Sequence, residues 1–178
     1  MEHRPIFIVG MPASGKSTFG RALSRALGRR YIDLDHYIEN RFRTTVRELF
    51  ATVGEEAFRD LEGAMLREVG EFEDVVVATG GGAPCHLGNM EYMLSRGETV
   101  WLRAPVGRLM QRIRLRPDKR PLLAGLDGDA LRTRLGEMHA ARFPFYSRAH
   151  LRIDSSRLED RAQIAESVAA FLPLLQSK

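Results

Sequence analysis

Cysteine, long apolar runs and metal-ligand motifs are all scarce in this sequence of 178 residues. Cys85 is the only cysteine, so the chain cannot form an internal disulfide. No apolar stretch is long enough to span a membrane or to serve as an export signal. No Cys/His spacing indicates a structural metal site. These absences predict a cytoplasmic protein that folds without disulfide or metal and has no membrane partner.

Positive charge is concentrated in one stretch of the chain. The formal net charge is +4, and residues 101–150 contain eleven arginine and lysine residues against four acidic ones. Such a bias attracts polyanions, but the stretch 112–120 contains no aromatic residues on which bases could stack. The phosphates of a nucleotide are therefore the expected partner, and no nucleic acid is expected. The alternative is a basic nucleic-acid-binding protein, whose affinity would depend strongly on salt.

A phosphate-binding loop is the most informative motif. Residues 10–18 read GMPASGKST, a complete G-x-x-x-x-G-K-[ST] pattern directly after the apolar run Ile6–Val9. In this motif the glycines let backbone N–H groups surround the phosphates, the lysine reaches the β and γ oxygens, and the hydroxyl contacts Mg²⁺. The motif predicts a nucleoside triphosphate site with Mg²⁺, and the residues expected to form it are Ser14, Gly15, Lys16, Ser17 and Thr18.

Short apolar runs alternate with helical patterns, which predicts an α/β fold with a parallel sheet and one domain over residues 1–178. The predicted strands are Pro5–Val9, Tyr31–Asp33, Asp74–Ala78, Thr99–Leu102 and His150–Ile153. The predicted helices are Lys16–Leu27, Asp35–Asn40, Thr45–Phe50, Val53–Val69, Asn89–Arg96, Pro105–Arg114, Asp129–Ala141 and Leu158–Leu174. Residues 34–66 are too helical for a simple crossover, and residues 115–128, which contain two prolines and two glycines, are typical of a lid.

Carboxylates and glycines follow two of the predicted strands. Asp33 and Asp35 are spaced so that both would point the same way from an extended chain, at the sheet edge that borders the ligand crevice. One is expected to hold Mg²⁺ and the other to accept a proton from an attacking hydroxyl, although Asp35 is also placed to cap a helix. Since Thr79 stands where many phosphate-loop proteins have an acidic metal ligand, Asp33 is the expected substitute. Gly80–Gly82 either let a ligand or another backbone segment approach closely or form a flexible turn.

Three arginines lie in distinctive surroundings: Arg59 in the helical segment, Arg120 in the expected lid and Arg142 near a helix end. A guanidinium group binds a carboxylate through two parallel hydrogen bonds, and a mobile arginine neutralises charge on a transferred phosphoryl group. Each of them taken alone is equally compatible with a surface arginine.

Two other functions fit a phosphate loop. A small-molecule kinase for gluconate or a nucleoside monophosphate would share the fold. A GTP-dependent switch would carry an Asn-Lys-x-Asp guanine motif, which is absent, and its D-x-x-G match, Asp60–Gly63, falls within a helical pattern.

Taken together, these residues resemble the shikimate kinase family over nearly the whole chain. The resemblance rests on the phosphate loop with Phe19-Gly20, on Asp33-Leu34-Asp35 with Ile38-Glu39, on Leu49-Phe50, on Gly54–Arg59 with Glu62, on Gly80–Gly82, on Arg120-Pro121-Leu122-Leu123, and on Arg142 with Pro144 and Tyr146. It implies a P-loop, nucleoside-monophosphate-kinase-like fold with three α/β/α layers, five parallel strands, a helical substrate-binding insertion at about 34–66 and a lid at about 115–128. It also implies ATP-dependent phosphorylation of the shikimate 3-hydroxyl, in aromatic amino-acid biosynthesis, by a cytoplasmic monomer.

The resemblance also implies residue roles. The expected catalytic residues are Asp35, Lys16 and Arg120. The expected shikimate-binding residues are Asp35, Arg59, Gly81, Gly82 and Arg142, with the two arginines on the substrate carboxylate. The expected ATP-binding residues are Ser14, Gly15, Lys16, Ser17, Thr18, Arg116, Arg120 and Ser155, with Arg116 packed on adenine. Ser17 and Asp33 are expected to hold Mg²⁺.

Overall fold

The computed structural model describes residues 4–115, 123 and 125–176. Five strands form its central sheet: β1 (Ile6–Val9), β2 (Arg30–Asp33), β3 (Val75–Ala78), β4 (Glu98–Arg103) and β5 (Leu151–Asp154). They pair in the order β2-β3-β1-β4-β5, and every pair is parallel. The carboxyl ends of the strands therefore lie along one edge, where ligands bind in folds of this kind.

Seven α-helices connect and flank the strands in the described part of the chain. They are α1 (Lys16–Leu27), α2 (Leu34–Phe42), α3 (Val46–Gly70), α4 (Asn89–Arg96), α5 (Val106–Arg114), α6 (Gly128–Tyr146) and α7 (Arg161–Gln176). A short 3₁₀ helix, Ala83–Cys85, lies between β3 and α4. Among the described residues, none of these helices combines the length and apolarity needed to cross a bilayer.

The core has two layers, one on each face of the sheet. Successive strand residues point to opposite faces, so Phe7 and Val9 pack with α2 to α6, while Ile6 and Ile8 pack with α1 and α7. All four of these side chains are buried. Strands covered on both faces appear in the sequence as continuous apolar runs, which explains why they were recognisable.

The predicted fold class is confirmed: the sheet is parallel, five-stranded and covered on both faces. Helices α1 and α4 have the predicted bounds. The two helices predicted in residues 45–69 form one element, α3, and the predicted break at residues 51–52 is wrong, because the non-helical residue is Gly54 (φ 82°, ψ 171°), inside the second predicted helix. The predicted end of α6 at Ala141 is wrong, because the helix continues through Pro144 to Tyr146. This extension places Arg142 and Tyr146 one helical turn apart.

Glycine at position 97 is required by a close approach between neighbouring strands. A Cβ on Gly97 would overlap the Pro5 carbonyl oxygen, which already accepts a hydrogen bond from Glu98 N at 2.9 Å. By contrast, a Cβ on Gly136, in the exposed middle of α6, would meet nothing within 4 Å.

We expect Gly97→Ala to lower the free energy of unfolding by about 1–3 kcal/mol, because the added methyl group separates β1 from β4. The control Gly136→Ala should raise it by up to about 1 kcal/mol, since alanine favours a helix interior. Urea unfolding of both variants provides the measurement. Equal stabilities for the two variants would contradict the strand contact.

Candidate active site

The phosphate loop between β1 and α1 is a backbone cradle. Lys16 Nζ donates to the carbonyl oxygens of Gly10 and Met11, both at 2.9 Å, so the lysine head group lies across its own loop. Gly15 has φ 95°, and a Cβ there would lie 2.8 Å from Leu158 Cδ1. Only glycine suits such a position. The loop leads into the amino-terminal end of α1, where backbone N–H groups and the helix dipole favour an anion.

Hydroxyl groups of the loop lie close to Asp33. Ser17 Oγ donates to Asp33 Oδ2 at 2.9 Å, and the Tyr31 hydroxyl donates to the same oxygen at 3.1 Å. Ser14 Oγ is buried without a hydrogen-bond partner in the described chain, and Thr18 is exposed in the first turn of α1. Hydroxyl and carboxylate oxygens are ligands that Mg²⁺ accepts. In the part of the chain that the structure describes, no three His, Cys, Asp or Glu residues are grouped to hold a metal.

Asp35 lies in the first turn of α2. The expected extended alternation of Asp33 and Asp35 is wrong, because the helix begins at Leu34 and Asp33 is its N-cap residue. The alternative role of Asp35 as the N-cap is therefore also wrong. Burial raises the pKa of Asp35, and the negative charges of Asp33 and Glu39 raise it further, while Lys16 opposes the shift. The positive charge of Lys16 in the phosphate loop therefore acts on the Asp35 carboxyl group.

The three glycines after β3 leave room for charged side chains of other elements. None of them has a positive φ, so their backbone conformation does not require glycine. Space does require it. A Cβ would lie 2.5 Å from Glu62 Oε1 at Gly80, 2.9 Å from Arg142 Nη1 at Gly81 and 2.5 Å from Arg59 Nη2 at Gly82. Each missing side chain makes room for a charged group, so the turn is a point of close approach between elements.

Arg59 is fixed by neighbours on its own helix, α3. Arg59 Nη1 donates to Glu62 Oε2 at 2.6 Å, and Arg59 Nη2 lies 3.8 Å from Glu55 Oε1. The Glu62 side chain is only 1% exposed. Burial raises the pKa of Glu62, and the positive charge of Arg59 partly offsets that shift. The Phe50 ring lies 5.2 Å from the guanidinium carbon, so one face of Arg59 is covered.

Arg142 and Arg59 both line a cavity of about 510 Å³. Its Nη1 atom is buried without a hydrogen-bond partner among the described residues. A buried donor without an acceptor is costly, which suits a site whose anionic ligand supplies the acceptor. The residues lining the cavity are Glu55, Glu56, Arg59, Gly82, Cys85, His86, Ala141 and Arg142.

Comparisons with known proteins identify the family of this chain. A family model described as "Shikimate kinase" matches residues 12–173. The shikimate kinase of Bacteroides fragilis is 48% identical over 170 residues, which cover 96% of this chain and 95% of that protein. The chain belongs to the shikimate kinase family. It is therefore an ATP-dependent kinase, and the predicted family and enzyme class are confirmed.

Two solved shikimate kinases share its fold closely. The enzyme from Bacteroides thetaiotaomicron is 44% identical, with a TM-score of 0.91, and the match covers 97% of this chain and 98% of that one. The enzyme from Acinetobacter baumannii, solved in complex with shikimate, is 33% identical, with a TM-score of 0.86. That match covers 98% of this chain and 93% of the other.

The structure of this family member gathers most of the predicted site residues. Those at the carboxyl edge of the sheet are Ser14, Gly15, Lys16, Ser17, Asp33, Asp35, Gly81, Gly82 and Ser155, joined there by Arg59 and Arg142 from α3 and α6. Ser155 Oγ is buried without a described partner. Arg116 and Arg120 lie outside the described residues.

Arg112 is a residue that the sequence reasoning counted only as part of a basic stretch. From α5 it donates to the carbonyl oxygens of Ala13 (3.3 Å) and Ser155 (2.7 Å), and to Glu159 Oε1 through both Nε and Nη2. One guanidinium group thus joins the phosphate loop to the segment between β5 and α7. Its helical pattern alone gives no signal for this role, because both partner segments are distant in sequence.

We expect Arg112→Ala to weaken ADP binding about tenfold, or about 1.4 kcal/mol, because the two segments lose their common donor. Arg108→Ala is the control, since Arg108 is on the same helix and, among the described residues, its side chain hydrogen-bonds only to Gln111 Oε1, at 3.0 Å. Isothermal titration calorimetry measures both affinities. Equal ADP affinities for the two variants would contradict this role for Arg112.

Proposed function

We propose that this kinase transfers the γ-phosphoryl group of ATP to the 3-hydroxyl of shikimate, giving shikimate 3-phosphate and ADP. The reaction belongs to the shikimate pathway of aromatic amino-acid biosynthesis. The observation that supports the proposal is that Asp35 lies at the glycine turn beside the cavity: a Cβ on Gly80 would lie 3.2 Å from Asp35 Oδ1, and Gly82 of the same turn lines the cavity with Arg59.

The acceptor is held in the cavity between Arg59 and Arg142. Shikimate is a compact, polyhydroxylated acid, and a cavity of about 510 Å³ holds a molecule of that size. Its carboxylate supplies acceptors to the two guanidinium groups, including the buried Arg142 Nη1 atom. The backbone at Gly81 and Gly82 lies against the same substrate, because neither residue has a side chain to exclude it.

Asp35 accepts the proton of the 3-hydroxyl as its oxygen bonds to the γ-phosphorus and the bond from phosphorus to the ADP oxygen breaks. The raised pKa of Asp35, caused first by burial and then by the charge of Asp33, makes its carboxylate a stronger base than that of an exposed aspartate. Positioning of the two substrates and neutralisation of phosphate charge account for most of the remaining catalysis.

The nucleotide binds along the phosphate loop. Ser14, Gly15, Lys16 and Thr18 surround its phosphates, and Lys16 acts with Arg120 on the transferred group. Arg116 and Ser155 are the residues proposed to contact adenine. Ser17 and Asp33 would hold Mg²⁺, which would neutralise phosphate charge; the hydrogen bond of 2.9 Å between Ser17 Oγ and Asp33 Oδ2 keeps these two oxygens together.

We further propose that residues 1–178 act as one kinase domain and as a cytoplasmic monomer, with no membrane or nucleic-acid partner. Within it, α2 and the first part of α3 make up the substrate-binding insertion at about 34–66. Residues 115–128 act as the lid that excludes water during transfer, which protects ATP from hydrolysis.

Coupled ADP release with shikimate, quinate and gluconate as acceptors tests the proposed function. We expect rapid release with shikimate alone, and ³¹P NMR should show one phosphomonoester at the 3-position. Preference for gluconate would instead assign the cavity to a sugar-acid kinase of the same fold.

Asp35→Asn should lower kcat about 100-fold or more, because the amide cannot accept the hydroxyl proton. ADP affinity should stay within about twofold, since the phosphate loop is unchanged. Asp129→Asn is the control, an acid in the first turn of α6 that is exposed. Comparable turnover in Asp35→Asn and wild type would remove Asp35 from the mechanism.

The pH dependence should report the raised pKa of Asp35. Because the ionised form is the base, kcat/KM should fall as the pH drops through a pKa above the ordinary aspartate value of 3.8. Glu39→Gln removes one of the negative charges that raise this pKa, so the acid limb should move to lower pH. A limb that stays in place, or moves to higher pH, would contradict the assignment.

A further inference from the structure

Tyr146 ties the active-site glycines to α6. It is the largest fully buried side chain of the described chain, and its hydroxyl donates to the Gly81 carbonyl oxygen at 2.5 Å. Arg142 lies one helical turn earlier on the same helix. Burial raises the pKa of Tyr146, so its hydroxyl stays protonated and remains a donor at neutral pH. The proposed reaction assigns Tyr146 no part.

The direction of the Gly81 carbonyl determines the direction of the next N–H group. The peptide bond between Gly81 and Gly82 is trans and planar, so the Gly81 C=O and the Gly82 N–H point in opposite directions. With the carbonyl turned towards Tyr146, the Gly82 N–H points away from that hydroxyl. Across the described residues, this N–H donates to no backbone or side-chain acceptor. Gly82 itself lines the cavity between the two arginines.

Gly81 has little freedom to move. A Cβ at this position would lie 2.9 Å from Arg142 Nη1, 3.2 Å from Pro12 Cδ and 3.4 Å from the Gly10 carbonyl oxygen. A shift of Gly81 would therefore disturb either Arg142 or the phosphate loop. A single hydrogen bond from Tyr146 fixes a peptide that contacts both.

We infer that Tyr146 is a positioning residue for acceptor binding: its hydroxyl orients the Gly81–Gly82 peptide so that the Gly82 N–H and the Arg142 guanidinium act together on the anionic substrate. The inference rests on the proposed function, since it takes shikimate as the ligand of that cavity. It predicts that the hydroxyl of Tyr146 affects acceptor binding and leaves nucleotide binding alone.

The test is Tyr146→Phe, which keeps the ring and removes the donor. We expect KM for shikimate to rise about tenfold, with KM for ATP within about twofold of wild type. The control is Tyr92→Phe, because the Tyr92 hydroxyl also donates to a backbone carbonyl, that of Arg67, at 3.0 Å and away from the cavity. Tyr92→Phe should lower stability without raising KM for shikimate. An unchanged KM in Tyr146→Phe, or equal rises in both variants, would overturn the inference.

A second measurement keeps the inference falsifiable if Tyr146→Phe folds poorly. In the ¹⁵N-labelled wild-type protein with ADP, saturation with shikimate should move the Gly82 amide proton downfield, as a new hydrogen bond requires. No downfield shift would overturn the inference. Failure of the proposed function can be told apart from failure of this inference, because the wild-type protein would then release no ADP with shikimate. Normal turnover of the wild type together with a normal KM for shikimate in Tyr146→Phe would overturn the positioning role alone.

Discussion

The whole site depends on the absence of side chains at the end of β3. Three glycines let α3 and α6 bring a carboxylate and two guanidinium groups to within 2.5–2.9 Å of the positions that Cβ atoms would take, so a side chain there would displace these groups. The parallel sheet places this turn beside the phosphate loop, because β1 and β3 are neighbours in the sheet. The glycine turn that lines the cavity therefore adjoins the phosphate loop.

The charged side chains crowded around the glycine turn are stabilised by pairing with one another. Removing two charges from water is expensive unless they pair closely, and Arg59 and Glu62 do so at 2.6 Å. The pair leaves Arg142 as the guanidinium whose buried donor has no described partner. The cavity therefore keeps an unmatched donor for an anion, and the Gly82 N–H beside it is likewise without an acceptor in the described chain. The Arg59–Glu62 pair stabilises the buried charges, and the unmatched Arg142 donor is left to bind an acid.

Much of this architecture was predictable, for reasons that differ between elements. The phosphate loop and α1 were predictable because a local motif fixes both conformation and chemistry, and β1 and β3 because burial on both faces leaves apolar runs. The continuation of α6 through Pro144 was not, since tertiary packing of Tyr146 outweighs the local cost of proline. The glycine turn was recognised as a close-approach site, but the three groups that approach it come from distant segments. Arg112 was missed for the same reason.

The central claim is that Arg59 and Arg142 recognise the substrate through its carboxylate beside the phosphate loop. The most direct measurement is calorimetric binding of shikimate and of its neutral carboxamide to the wild-type protein and to Arg59→Ala. We predict that loss of the ligand charge weakens wild-type binding by about 1.5–3 kcal/mol, as for a hydrogen bond to a charged group, and weakens binding to Arg59→Ala much less. The same loss of affinity in both proteins would contradict the account, because Arg59 would then be indifferent to the carboxylate.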